Sequence, residues 1–122
     1  MITLLENINS SSPVKLAIPT SDGTEYLNIA DIIRIQADGS YSKFSLNNNK
    51  TILVSKNIGE YQELLIDKDF LRVHNSHLVN LLNVKKHVKS DGGYILMTDN
   101  YSVPLSKSKR ELFVSLMKNI SK

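Results

Sequence analysis

Phe70-Leu71-Arg72-Val73-His74-Asn75-Ser76-His77-Leu78-Val79-Asn80-Leu81 is the stretch on which the reading of this chain turns. Within it, Leu71-Arg72-Val73 reads as a short strand, and Ser76 stands where it can cap one helical turn running through Leu81. Its polar centre holds two histidines in a His-x-x-His spacing, which can supply two metal ligands. Here, however, the spacing straddles a strand-to-turn junction. The chain has no cysteine, and Asp67 and Asp69 are the only carboxylates within ten residues. Zinc takes three or four protein ligands. Ser76 beside a histidine lacks the Gly-x-Ser-x-Gly elbow of a nucleophile, and nearness in sequence is not triad geometry. No catalytic residue, metal or cofactor is therefore expected, and the chain is not expected to be an enzyme. The simpler expectation has His74 packed and hydrogen-bonded, with His77 facing a turn.

On the N-terminal side the period is two. Val14–Ile18 and Thr24–Asn28 read as strands around the turn at Ser21-Asp22-Gly23-Thr24. Ile32–Ala37 is a third strand, stopped by Asp38-Gly39. Tyr41, Lys43 and Ser45 then alternate with Ser42, Phe44 and Leu46, the mark of a strand. Asn47-Asn48-Asn49 turns the chain into a fifth strand at Thr51–Val54. Ile58, Tyr61, Leu64 and Leu65 share a helical face, and Asn57 with Glu60 resembles a capping box. A helix is thus expected over about residues 58–66, ended by Asp67-Lys68-Asp69.

On the C-terminal side, Val84, Lys86 and Val88 alternate with Lys85, His87 and Lys89, a strand with a basic edge or face. Ser90-Asp91-Gly92-Gly93 is a turn. Tyr94–Thr98 and Tyr101–Leu105 read as a hairpin across Asp99-Asn100. Leu112, Phe113, Leu116, Met117 and Ile120 form an apolar stripe on a last helix that starts near Ser106 or Ser108. The pattern is mainly β, many short strands with two short helices, and not a nucleotide-binding βαβ fold.

The 122 residues, 41% of them hydrophobic, suit one domain closing one core. Residues 1–13 read as a flexible tail or interdomain linker, either the remnant of a linker or a short N-terminus; residues 14–122 are the expected domain. The start lacks a basic n-region, and no apolar run approaches the roughly 20 residues of a membrane span, so no membrane partner is expected. The lack of cysteine fits a reducing cytoplasm. Charge is unevenly spread: residues 1–70 carry six basic and nine acidic side chains, whereas residues 71–122 carry nine basic and three acidic. A basic half beside an acidic half can present an oriented face to a polyanion. Ser106-Lys107-Ser108-Lys109-Arg110 sharpens this, with three cations and two hydroxyls at the entrance to the last helix. Helix starts favour anions and slightly disfavour cations. Phosphate binding accounts for these residues; solvated charge opposite the apolar stripe accounts for them too.

The central stretch resembles the signature of LytTR-type DNA-binding domains, the output domains of LytR/AlgR-like response regulators. Ile29-Ala30-Asp31-Ile32-Ile33-Arg34-Ile35, Asp38-Gly39-Ser40-Tyr41-Ser42 and Val103-Pro104-Leu105-Ser106-Lys107 resemble further family segments in the right order, and the likeness runs from about residue 15 to 118. It implies an elongated stack of small antiparallel β-sheets with short helices, including a C-terminal helix. It also implies sequence-specific binding of double-stranded promoter DNA, commonly direct repeats, by loops placed in successive major grooves. The protein would be a cytoplasmic bacterial transcription regulator of a two-component system. A receiver domain would precede the DNA-binding domain in cis if the chain is an excised fragment. With no large apolar helix face in view, a monomer is expected without DNA.

Carried over residue by residue, the likeness places base contacts at Ser42, with Tyr41 and Lys43 beside it, at Asn75 and at Lys107. Two departures bear on this. A longer side chain often fills the first position, where Lys43 can substitute. An Arg commonly fills the third, and Lys107 lacks its bidentate fork. Asn suits adenine and Lys the guanine acceptors. Ser76, Ser108 and Lys109 suit phosphate contacts, and His74 either donates to DNA or buttresses the Asn75 loop. The alternative is a β-rich RNA-binding or protein-interaction module, with Tyr41, Tyr94 and Tyr101 as stacking surfaces.

Overall fold

A computed structural model of the chain describes residues 14–90 and 93–122. The expected tail at 1–13, and Asp91 and Gly92 of the expected turn, lie outside the described residues. β1 (Lys15–Thr20) and β2 (Gly23–Asn28) form a two-stranded hairpin. β3 (Ile32–Asp38), β4 (Tyr41–Leu46), β5 (Thr51–Val54), β6 (Phe70–His74) and β7 (His77–Asn80) form an antiparallel sheet in the order β5-β4-β3-β7-β6. β8 (Val84–Val88), β9 (Tyr94–Met97) and β10 (Ser102–Pro104) make a third antiparallel sheet, ordered β10-β9-β8. The helices are α1 (Ile58–Leu64) and α2 (Arg110–Ile120), with short 3-10 turns at Ile29–Asp31, Leu81–Asn83 and Lys107–Lys109. The fold is thus mainly β, in small antiparallel sheets with short helices that include a C-terminal one. Among the described residues no helix is long and apolar enough to cross a membrane.

The expected helical turn after Ser76 is not there. Residues 77–80 are β7, paired on one side with β6 (Leu71 opposite Val79) and on the other with β3 (Ile35 opposite Leu78). A strand covered on both faces shows no polar alternation, and His77, Leu78, Val79 and Asn80 are all buried. The helical turn comes later, at Leu81–Asn83, and its cap is Asn80, whose Oδ1 accepts the Leu82 N–H at 3.0 Å. The same buried side chain donates through Nδ2 to the Ile32 carbonyl at 3.0 Å, so both ends of its amide are used.

Instead of one core the described residues form two, one on each face of the five-stranded sheet. The first joins Leu16, Ile18 and Leu27 of the hairpin to Ile32, Ile35, Phe44, Val54 and Leu78 of the sheet and to Ile58 and Tyr61 of α1. The second joins Ile33, Leu71, Val73 and Val79 to Ile95, Met97 and Val103 of the third sheet and to Phe113 of α2. Strict alternation cannot put Ile32 and Ile35 on one face. A bulge does it: Ile32 pairs with Leu46 and Arg34 with Ser45, leaving Ile33 as the extra residue. Ile33 then enters the second core beside Arg34. The Arg34 Nε donates to Asp99 Oδ2 at 3.0 Å, and its guanidinium lies 3.7 Å from the centroid of the Tyr101 ring. Asp99 and Tyr101 belong to the β9–β10 turn, so a charge pair and a cation–π contact pin the third sheet to the second.

α1 starts where expected, with Asn57 Oδ1 accepting the Glu60 N–H at 3.1 Å. α2 follows a 3-10 turn, and no side chain caps that turn at Ser106. Its apolar stripe is narrower than its five residues suggest. Phe113 is buried and Leu116 and Met117 are partly covered, but Leu112 and Ile120 are 45% and 38% exposed. Phe113→Ala is therefore expected to cost about 3–5 kcal/mol and Leu112→Ala about 0.5 kcal/mol or less. Urea denaturation checks this; equal losses would contradict the placement of α2.

Candidate nucleic-acid interface

Two turns leave the same end of the five-stranded sheet. β3 runs antiparallel to β7 with Gln36 opposite His77, so the β3–β4 turn at Gly39-Ser40 and the β6–β7 turn at Asn75-Ser76 emerge together. The Ala37 N–H donates to the Ser76 carbonyl at 2.9 Å, tying one turn to the other. The Ser106 N–H donates to the Val73 carbonyl at 2.8 Å, which holds the segment before α2 against β6. Gly39 takes φ +63° to close its turn, a conformation glycine reaches without strain. With strands about 4.8 Å apart, the three segments line up over roughly 15–20 Å.

Asn75 is exposed at the tip of its turn, and its backbone is held from below. Arg72 Nε donates to the Asn75 carbonyl at 3.1 Å, and a second guanidinium nitrogen donates to the same oxygen. The remaining Arg72 nitrogen donates to Gln62 Oε1 of α1 at 2.9 Å. The planar fork thus spans from the helix to the turn. His74 Nδ1 accepts the Ser76 N–H at 3.1 Å, which leaves the proton of the neutral ring on Nε2. His74 therefore braces the turn, and Nε2 is its remaining donor. Gln62, Arg72, His74, Asn75, Ser108 and Lys109 line a cleft of about 240 Å³. Its donors and two cations suit an anionic oxygen.

Of the residues expected at base contacts, Lys43, Asn75 and Lys107 are exposed. Ser42 is not. It is fully buried, and its hydroxyl donates to the Lys56 carbonyl at 2.6 Å. It shares the face of Phe44 and Leu46, so it supports the β4 end while Tyr41 and Lys43 face outward from the first core. Ser108 is exposed, and Ser76, His74 and Lys109 are half-buried at the edge of the site. Arg72 and Gln62 also line the cleft; Arg72 stands inside the signature-like stretch, where no role is expected of it, and Gln62 falls in no motif. The signal for Arg72 is a cation between Leu71 and Val73 in β6.

His77 does not face a turn. It is 6% exposed beneath the site, and its Nδ1 has no hydrogen-bond partner among the described residues. Its ring meets that of His74 edge-on, with centroids 5.4 Å apart. Burial, then the nearby His74 and Arg34, push its pKa down to about 4. Among the described residues no three His, Cys, Asp or Glu side chains are grouped to hold a metal ion. Of the tyrosines, Tyr94 pairs with Pro104 at one end of the β9–β10 hairpin, Tyr101 lies at the other end against Arg34, and Tyr41 is exposed on β4.

The sequence profile of the LytTr DNA-binding domain matches residues 22–118. The chain belongs to this family and is a DNA-binding domain of the kind found in bacterial transcription regulators. Its relatives include the CO-responsive transcriptional regulator RcoM of Rhodospirillum rubrum, 28% identical over 78% of this chain and 41% of that protein. The heme-containing CO-sensing transcriptional regulator RcoM 1 of Paraburkholderia xenovorans is 31% identical over 68% of this chain and 32% of that protein. The chain thus spans about two fifths or a third of these relatives. In fold it is similar to a LytTr DNA-binding domain from Bacillus cereus, with a TM-score of 0.70 and 22% identity, covering 87% of this chain and 98% of that one.

The depressed His77 pKa ties stability to pH. The folded chain keeps the ring neutral, whereas the unfolded chain protonates it near pH 6.5. The contribution is present above pH 6.5 and is lost as pH falls toward 4, by up to about 3 kcal/mol. His87 is shifted down too, by burial first and then by Lys89 and Arg110, and adds in the same direction. Urea midpoints of the wild type should fall between pH 6.5 and 4, and those of His77→Phe should fall less. Parallel curves would contradict the assignment.

Proposed function

We propose that the chain binds double-stranded promoter DNA sequence-specifically through the sheet end that carries Asn75. The observation behind this is the Arg72 clamp. It holds the backbone beneath the exposed Asn75 side chain, in a cleft shared with Lys109, which comes from a segment more than 30 positions away. Preorganised donors and acceptors lose less entropy on binding. Asn75, Lys107 and Lys43 are assigned to base edges, and Lys43 replaces Ser42 in that role. Ser76, Ser108 and Lys109 are assigned to phosphates, with the Arg72–Lys109 cleft as one phosphate position. His74 buttresses the Asn75 turn.

On this reading the reading heads are loops in successive major grooves. α2 packs Phe113 into the second core and is not assigned as one of them. The regulator is cytoplasmic and of the two-component type, and a receiver domain supplies the input. Its sites are direct repeats, each half-site being bound by a chain that is monomeric when free. CO sensing is a property named for two whole relatives and is not part of this proposal.

Paired titrations of variants on cognate and scrambled duplexes at two salt concentrations test the roles. Asn75→Ala should cost about 1–3 kcal/mol on the preferred site and relax discrimination at one position. Lys109→Ala should weaken all sequences alike and reduce the salt slope by about one. Lys107→Ala should resemble Asn75→Ala, with some loss of salt slope as well. An Asn75→Ala variant that keeps the full cognate-to-scrambled ratio would overturn the assignment at its centre.

A further inference from the structure

Two surfaces outside the DNA site are complementary to each other. The first is a groove of about 380 Å³ between β8 and α2. Its floor is apolar, with Phe113, Val114 and Met117 among its residues, and Lys85, Lys86, Lys89 and Lys118 stand around it. All four lysines are exposed. The second is a ridge formed by the end of α1 and the turn after it. There Leu64 and Ile66 stand 58% and 71% exposed. Glu60, Glu63, Asp67 and Asp69 flank them and are exposed as well, while Lys68, half-buried, is the one cation between Glu60 and Asp69.

The two surfaces flank α2 on different sides. Val114, Met117 and Lys118 line the groove, whereas Leu116, Asn119 and Ile120 share a separate cleft with Ile66. The ridge therefore does not fold into its own groove. Groove against groove would bring two sets of four lysines together, and ridge against ridge would do the same with carboxylates. Like-charge juxtaposition of that kind is strongly unfavourable. Groove against ridge pairs opposite charges and buries two exposed aliphatic side chains on an apolar floor.

We propose that the β8–α2 groove receives the Leu64–Ile66 ridge of a second copy of this chain, in a head-to-tail contact. A heterologous contact of this type repeats the same orientation from copy to copy. Two aliphatic side chains on a groove of about 380 Å³ make a small contact beside the roughly 1,000 Å² of a stable interface. Free chains are thus mainly monomeric at low concentration, and the contact operates when copies are held side by side. It stands on the two surfaces alone and is tested without DNA, so its failure would leave the DNA-binding reading untouched.

The test is amide NMR of the labelled chain, diluted from about 1 mM, where a contact of millimolar affinity is half formed. Wild-type shifts should move with concentration at both surfaces, residues 63–67 and residues 84–89 with 114–118. Glu63→Lys/Asp67→Lys and Lys86→Glu/Lys118→Glu should each lose the effect when alone. Mixing the two variants should restore it, because the first keeps an intact groove and the second an intact ridge. All four sites are exposed, and the spectra report the fold directly. Wild-type shifts that do not depend on concentration, shifts at one surface only, or a mixture without recovery would overturn the proposal. So would groove shifts caused by polyglutamate or by anionic phospholipid vesicles in a chain that shows no concentration dependence of its own.

Discussion

The five-stranded sheet is covered on both faces where β3, β7 and β6 lie, and the rest of the molecule depends on that. A sheet with one wet face needs one partner layer; this one needs two. The β1–β2 hairpin and α1 cover one face, and the third sheet and α2 cover the other. The extra residue at Ile33 makes this possible by resetting the alternation of β3, so that Ile32 and Ile35 point one way and Ile33 the other. Arg34 sits just after the bulge, and its bond to Asp99 fixes the third sheet against the second. β10 leads from that sheet into the segment at residues 106–109. The position of Lys107 and Lys109 at the site is thus set by packing far from the site itself.

The same logic holds at the β6–β7 turn. Arg72 points from β6 toward α1, on the face away from Leu71 and Val73, and reaches both Gln62 and the Asn75 backbone. A helix placed by the first core therefore stiffens a turn that carries the exposed amide. His74 and His77 add a second brace from the opposite face, one by accepting the Ser76 N–H and the other by filling the space beneath. The turn has little freedom left to lose when it meets a ligand, which is what a site on a short loop requires.

Much of this was legible in the sequence because one-sided burial leaves a period. β4 alternates clearly over Tyr41–Leu46, and α1 shows both its face and its Asn57 cap. The central stretch was harder. Leu78 and Val79 are both buried, so β7 has no polar alternation, and Ser76 resembles a cap for a helix that starts only at Leu81. The bulge at Ile33 leaves no composition mark, so the second core was not foreseen. Ser42 carries the same hydroxyl whether it faces a ligand or a backbone carbonyl, and only the register of β4 against β5, with Ser42 opposite Val54, decides it. Arg72 likewise needs the position of Gln62, ten residues earlier in the chain, to show its use. The family resemblance pointed to three segments; the strand order shows two of them leaving one end of the sheet, and the Ser106–Val73 bond holds the third against β6.

The most direct test of this account is hydrogen–deuterium exchange of the backbone on adding a cognate duplex. It reads which amides lose exchange without assuming any residue's role. The account predicts added protection at residues 38–43, 74–76 and 106–109, with the β1–β2 hairpin unchanged. Protection centred on the hairpin or on the exposed face of α2, with the Asn75 turn unaffected, would contradict it.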